Sequence, residues 1–320
     1  MQRSEHRILT THVGSLPRNP ALRDSLIRQE RGEAIELKEH GRLVAAAIDR
    51  VVAKQIDAGI DIGNDGEQPR VGFSTYVAQR MRGFGGESNR PLALDLLDHP
   101  DYAEMLAQRR KGAARVANAP QCIGPVQNFG EDEAKREGDY FAKSLERARP
   151  RAFTETFMTA ASPGVAACIL LNAHYASHEA YVDALAVELR KEYEIINAQG
   201  HLLQIDAPDL AMERPRLFQR DSLERFLEIA THHVKAINRA TANIPRERIR
   251  LHVCWGNYDG PHTHDIPLAP LLPILYQANV GALSLELGNP RHQHEWKAIQ
   301  RNPPPAHMLL LPGVIDSTSN

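Results

Sequence analysis

Three short stretches of this chain share one pattern, and that pattern restricts the fold more than anything else in the sequence. Leu202-Leu203-Gln204-Ile205-Asp206, Ile249-Arg250-Leu251-His252-Val253-Cys254 and Ala282-Leu283-Ser284-Leu285-Glu286-Leu287 each alternate aliphatic and polar residues. Side chains alternate across a strand, so the aliphatics of each stretch lie on one face and the polar residues on the other. In each, the polar residue nearest the C-terminal end falls opposite the aliphatics. Helix-covered strands of a closed barrel read this way, with aliphatics under the helices and polar groups in the mouth of the lumen. Asp206, His252, Cys254 and Glu286 are then expected to converge at one rim.

The rest of the chain alternates in the same sense. Strands are expected to end near Ser15, Asn64, Ala160, Asp206, Cys254, Glu286 and Leu311. Helical periodicity covers about 34–58, closed by Gly59, then about 178–199, and further helices start near 222 and 267. Residues 130–150 read as a charged, solvated helix. Residues 82–91, with Gly83, Gly85 and Gly86, lack phosphate-loop spacing and read as a loop, and 119–129 reads as a small hairpin arm. Repeated strand and helix argues for parallel strands with right-handed crossovers. The fold expected is α/β, a TIM-type (β/α)8 barrel forming a single domain over 1–320. Seven strands are counted where a closed barrel has eight, so the barrel reads as cut short after the seventh strand, with the final βα unit missing.

Composition narrows the partners. A formal charge of −2 gives no reason to expect nucleic acid or an anionic membrane. Three widely spaced cysteines, Cys122, Cys168 and Cys254, argue against a disulfide framework and fit a reducing compartment. The N-terminus carries no apolar signal core and the longest apolar run, 164–171, is too short to span a bilayer. The expectation is a cytoplasmic protein.

His252 and Cys254 point the same way from one strand, and an imidazole beside a thiolate is half of a tetrahedral zinc site. The pair alone is also what a buried cysteine next to a hydrogen-bonded histidine looks like. Ser15 is open to a plain turn role after Gly14, and Glu67 and Asp206 to a role as structural carboxylates. His12, His262, His264, His292 and His294 read as surface or supporting groups.

Taken in order, Thr11-His12-Val13-Gly14-Ser15-Leu16-Pro17-Arg18, Asp65-Gly66-Glu67, Gln204-Ile205-Asp206-Ala207-Pro208, His252-Val253-Cys254-Trp255 and Leu285-Glu286 resemble the cobalamin-independent methionine synthase family. The resemblance is to its catalytic, C-terminal-type domain, in the branch that also holds epoxyalkane:coenzyme M transferases. It implies a catalytic zinc held by His252, Cys254 and Glu286. It implies a homocysteine site at Ser15, Glu67 and Asp206, the two carboxylates taking the substrate's amino group. The implied activity is transfer of a methyl group to a small thiol, as in 5-methyltetrahydropteroyltriglutamate–homocysteine S-methyltransferases. A thiol alkyltransferase using another electrophile, such as an epoxide, and a non-catalytic barrel binding a thiol or amino acid are the alternatives. The chain departs from the family at three points: no Cys follows Val314–Asp316, Thr318 stands where methionine synthases have a proton-donating His, and Ala207 replaces an acidic residue.

Overall fold

The computed structural model describes residues 1–109, 119–150 and 152–316. Its strands are β1 (Ile62–Gly63), β2 (Met81–Gly85), β3 (Gln121–Asn128), β4 (Glu155–Ala161), β5 (Leu202–Asp206), β6 (Ile249–Val253), β7 (Ala282–Glu286) and β8 (Leu309–Gly313). Its helices are α1 (Pro20–Glu30), α2 (Leu37–Asp57), α3 (Val77–Arg80), α4 (Leu94–Asp98), α5 (Pro100–Arg109), α6 (Glu131–Ala148), α7 (Pro163–Ile169), α8 (His178–Ala198), α9 (Leu223–Ala240), α10 (Leu268–Leu275) and α11 (Trp296–Arg301).

Six strands form one parallel sheet in the order β1-β4-β5-β6-β7-β8. The sheet curls into part of a TIM-type barrel. From β4 onward each strand pairs in parallel with the next in sequence, the arrangement of successive βαβ units. The expected faces hold: Leu203, Ile205, Leu251, Val253, Leu283 and Leu285 are all buried in the main core cluster with the helices. Arg250, on the opposite face of β6, reaches across the lumen to Thr11 Oγ1 and His12 O, each at 3.1 Å. Its guanidinium lies 4.1 Å from the Phe157 ring centroid.

The helices start where their capping chemistry dictates. Ser162, Ser177 and Ser222 accept backbone N–H bonds at the N-termini of α7, α8 and α9. Among the described residues, no helix is long and apolar enough to cross a membrane.

Four local expectations are corrected. The strand expected to end near Ser15 shrinks to a single parallel bridge, Thr11 to Ile62. There the Thr11 hydroxyl, not an amide, donates to Ile62 O at 2.9 Å, and Asp61 takes the Thr10 amide at 2.8 Å, so the ladder cannot extend. The arm near 119–129 is no hairpin: it forms one strand, β3, that pairs antiparallel with β2. Its partner is the glycine-rich segment read as a loop. Gly83 makes that pairing possible, because a Cβ there would come within 2.6 Å of Pro125 O, and the register shifts between Arg82 and Phe84. Finally, α6 is not merely solvated. It buries Ala134, Glu137, Phe141 and Ser144. Glu137 pairs with Arg70 at 2.9 Å and with Arg80, while Glu192 of α8 takes Arg70 and Arg80 at 3.2 Å each.

Candidate functional site

The C-terminal ends of β5, β6 and β7 lie side by side, with Asp206 in register with His252 and His252 with Ser284. Alternation on β5 sends Gln204 and Asp206 the same way. Gln204 Nε2 donates to Asp206 Oδ1 at 2.8 Å and to the Val13 carbonyl. His252 Nδ1 donates to the same Asp206 oxygen at 3.0 Å. Burial alone would push the His252 imidazolium to a lower pKa. Hydrogen bonds and charge from Asp206 and Cys254 more than offset it and raise the group to about 10. Asp206, His252 and Cys254 therefore form one interacting set.

Glu67 comes to this set from the loop after β1. It is 2% exposed and sits at φ 54°, a left-handed conformation rare outside glycine. The turn holds it there: Asp65 Oδ1 accepts its N–H at 3.0 Å, and an Arg18 guanidinium donates to its carbonyl. Thr159 Oγ1 donates to Glu67 Oε1 at 2.9 Å, while Oε2 is buried with no protein partner. Burial first, then the charge of Asp206, pushes the Glu67 carboxyl up to about 7. Burial likewise raises Asp65 to about 6. Ser15 lies on the turn after the buried Gly14 and is exposed.

Glu286 is placed differently. Its Oε1 accepts the Trp255 N–H at 3.3 Å and its Oε2 accepts from Asn289 Nδ2. Among the described residues no three His, Cys, Asp or Glu side chains gather closely enough to hold a metal ion. The expectation that His252, Cys254 and Glu286 meet at one point is not met. Nitrogen, sulfur and oxygen donors of the types zinc takes are present. As placed, only His252 and Cys254 interact, and both Glu286 oxygens serve other groups.

His12, His262, His264 and His292 are tied to structural partners. His12 Nε2 donates to Gln55 at 2.8 Å, and its Nδ1 accepts the Gly14 N–H at 3.2 Å. Asp265 Oδ2 bridges His262 at 2.8 Å and His292 at 2.9 Å, and His292 stacks on Trp255 at 4.0 Å. His264 meets Asp98 at 2.6 Å, and His294 is exposed. Thr318 lies outside the described residues. Thr159 and Arg18 hold Glu67; Arg18 closes the Thr11–Arg18 motif, but its contact with Glu67, like that of Thr159, is not encoded locally. Only the fold brings β4 and the first-strand turn to the loop after β1.

A curled parallel sheet with its polar groups gathered at the strand C-termini defines an α/β protein of the partial TIM-barrel type. Residues 8–91 match the family model "Cobalamin-independent synthase, Catalytic domain". The chain is 34% identical over 80 residues to a 5-methyltetrahydropteroyltriglutamate–homocysteine methyltransferase of Corynebacterium glutamicum (strain R), covering 25% of this chain and 11% of that relative. It is 24% identical over 251 residues to a methionine synthase of Saccharolobus islandicus (strain Y.N.15.51 / Yellowstone #2), covering 78% of this chain and 63% of that one. Among solved structures, a B12-independent methionine synthase from Shewanella sp. W3-18-1 in complex with selenomethionine superimposes with a TM-score of 0.58 at 21% identity, over 88% of this chain and 73% of that one. The chain thus spans less than two thirds of the length of these two curated relatives. The resemblance to the cobalamin-independent methionine synthase family is borne out.

Proposed function

We propose that this chain transfers a methyl group to a small thiol, in the manner of the cobalamin-independent methionine synthases. Homocysteine is the acceptor proposed, and a methyltetrahydropteroyltriglutamate the donor. The observation that carries the reading is the rim set of Asp206, His252 and Cys254, with the unpartnered Glu67 oxygen beside it. An amino acid's ammonium group satisfies what the rim lacks. Glu67 Oε2 has no donor, and Asp206 Oδ1 already takes Gln204 and His252, which leaves Oδ2 for a ligand. Ser15, exposed on the neighbouring turn, is proposed to complete that subsite.

We assign His252 and Cys254, with Glu286 after release from Asn289, as the residues that would hold zinc. When bound, Zn²⁺ keeps a ligated thiol as thiolate near neutral pH. Because a metal takes neutral imidazole, His252 must give up its extra proton for that role. The protein's own share is position and exclusion of water. Ala207, fully buried beside Asp206, brings no carboxylate to a donor. That observation favours, as the second reading, a thiol alkyltransferase with a different electrophile.

Two measurements test the proposal. Metal analysis of the 320-residue chain, with and without homocysteine, is expected to find about one zinc per chain, retained better with thiol present. Incubation with homocysteine and the methylated pterin is expected to yield methionine. Zinc without methionine leaves the second reading; neither zinc nor thiol binding removes both.

A further inference from the structure

Directly behind the rim, four side chains from four elements form a continuous hydrogen-bonded line. Ser162 Oγ donates to Asp209 Oδ1 at 2.6 Å. His233 Nδ1 donates to Asp209 Oδ2 at 2.8 Å. His178 and His233 share a proton between their Nε2 atoms at 2.9 Å. Ser162, Asp209 and His233 are wholly buried, and His178 is half-buried. The proton order follows from chemistry. A carboxylate only accepts, so Ser162 O–H and His233 Nδ1–H both point at Asp209. With a single ring proton, at Nδ1, His233 has its Nε2 lone pair to accept from His178 Nε2–H. Burial, and then His233, push the His178 imidazolium down to about 4, so that ring is neutral at pH 7.

The line ties the rim together. Ser162 follows β4 and its N–H donates to the Asp206 carbonyl at 3.0 Å. Asp209 lies three residues beyond Asp206, in the short turn Pro208–Leu210, and His233 belongs to α9. Ala207 N–H, between Asp206 and that turn, donates to His252 O at 2.8 Å. The packing leaves no slack: a Cβ on Gly164 would overlap Asp209 Oδ2 and His233 Nδ1.

We propose that Asp209, held by Ser162 and His233, is a positioning residue that fixes the Asp206 end of β5 for the ligand's ammonium group. This rests on the assignment of Asp206 to that group. The buried line does not touch the ligand. It acts by keeping the Asp206–Ala207 backbone in place, and Asp209 is its knot.

The test compares D209A, G164A and D209N in the full chain, reading backbone amide exchange over 206–211, homocysteine affinity, and imidazole ¹⁵N shifts. D209A cuts the knot and G164A wedges it. Both are expected to speed exchange at Ala207 and weaken homocysteine binding about tenfold. D209N can keep the line by reversing it. Its amide donates to His233 Nδ1, so the His233 proton moves to Nε2 and that of His178 to Nδ1. The expected result is near-normal exchange and binding, with His233 Nδ1 changed from protonated to unprotonated in its ¹⁵N shift. Unchanged exchange in D209A and G164A overturns the proposal. So does global unfolding of both, or failure of D209N to restore what D209A loses. If the unaltered chain does not bind homocysteine, the proposed function fails, and the exchange and ¹⁵N results alone decide the role of Asp209.

Discussion

Two of the buried carboxylate sites in this molecule behave in opposite ways. Glu137 and Glu192, between the helices α6 and α8, face Arg70 and Arg80, with the Tyr76 hydroxyl on Glu192 at 2.8 Å. For Glu137, burial favours the neutral acid, but the two guanidinium groups win and hold it below the usual carboxylate range. Glu67, equally buried, has one hydroxyl on one oxygen, nothing on the other, and the negative Asp206 nearby. It is pushed up to about 7. The same residue type closes a structure in one place and leaves an unmet demand in the other. An unmet demand at a strand's C-terminal rim is where a ligand belongs.

The contrast breaks most visibly at its structural end. Arg70→Ala strips Glu137 and Glu192 of a buried partner and also frees the Thr159 carbonyl, which Arg70 Nη1 holds at 2.7 Å. The expected cost is about 3–5 kcal/mol in urea unfolding. A loss below 1 kcal/mol means the cluster is not closed as described.

Next comes the pH dependence of stability, whose sign differs between the two sites. Glu67 has a folded pKa above its ordinary value of 4.5, so its share of stability is full below that value and fades as pH rises through about 7. Glu137 has a lowered folded pKa, so its share is present above 4.5 and lost on acidification. Comparing E67Q with the unaltered chain by thermal melts at pH 5 and pH 8 is expected to show E67Q relatively more stable at pH 8, by about 2–3 kcal/mol. No change of rank with pH contradicts the environment described for Glu67.

Ligand affinity sharpens the same comparison. An ammonium group binds the ionised carboxylate, so homocysteine affinity is expected to climb as pH rises through about 7, where Glu67 loses its proton. E67Q is expected to bind about tenfold more weakly, a change of about 1.4 kcal/mol, and to lose that climb. Calorimetric titration across pH 6 to 8 reads both. The smallest effect belongs to Ser15→Ala: on an exposed turn it should move the melting free energy by no more than about 0.5 kcal/mol, while weakening the ligand. A large stability loss there identifies Ser15 as a turn residue only.

What was legible in the sequence follows from the range of the forces involved. Period-two alternation is local, so it marked β5, β6 and β7 and assigned Leu203, Leu251 and Leu285 to the helix side. It also aimed Asp206 and His252 at one rim, where they meet. The attachments of Glu286 to Asn289 and Trp255 were not legible, since alternation says which face a side chain takes but not which neighbour wins it. The first strand misled because Ile8 to Ser15 has strand composition, while the Thr11 hydroxyl and Asp61 intercept its ladder. Glu137 looked solvated because its partners, Arg70 and Arg80, come from far along the chain.

The order of the sheet has a consequence for how the chain assembles. From β4 to β8 each strand pairs with the next in sequence with only helical segments between them, so each closure spans a shorter stretch of chain than the one that brings β1 to β4. β1 is different: Ile62 pairs with Glu155, and the β2–β3 ribbon and α6 lie in between. Closing a longer loop costs more entropy before any contact rewards it. The β4–β8 block is therefore expected to gain protection first in pulse-labelled refolding, with β1 docking late. Glu67, carried in by β1, would complete the rim only at that last step.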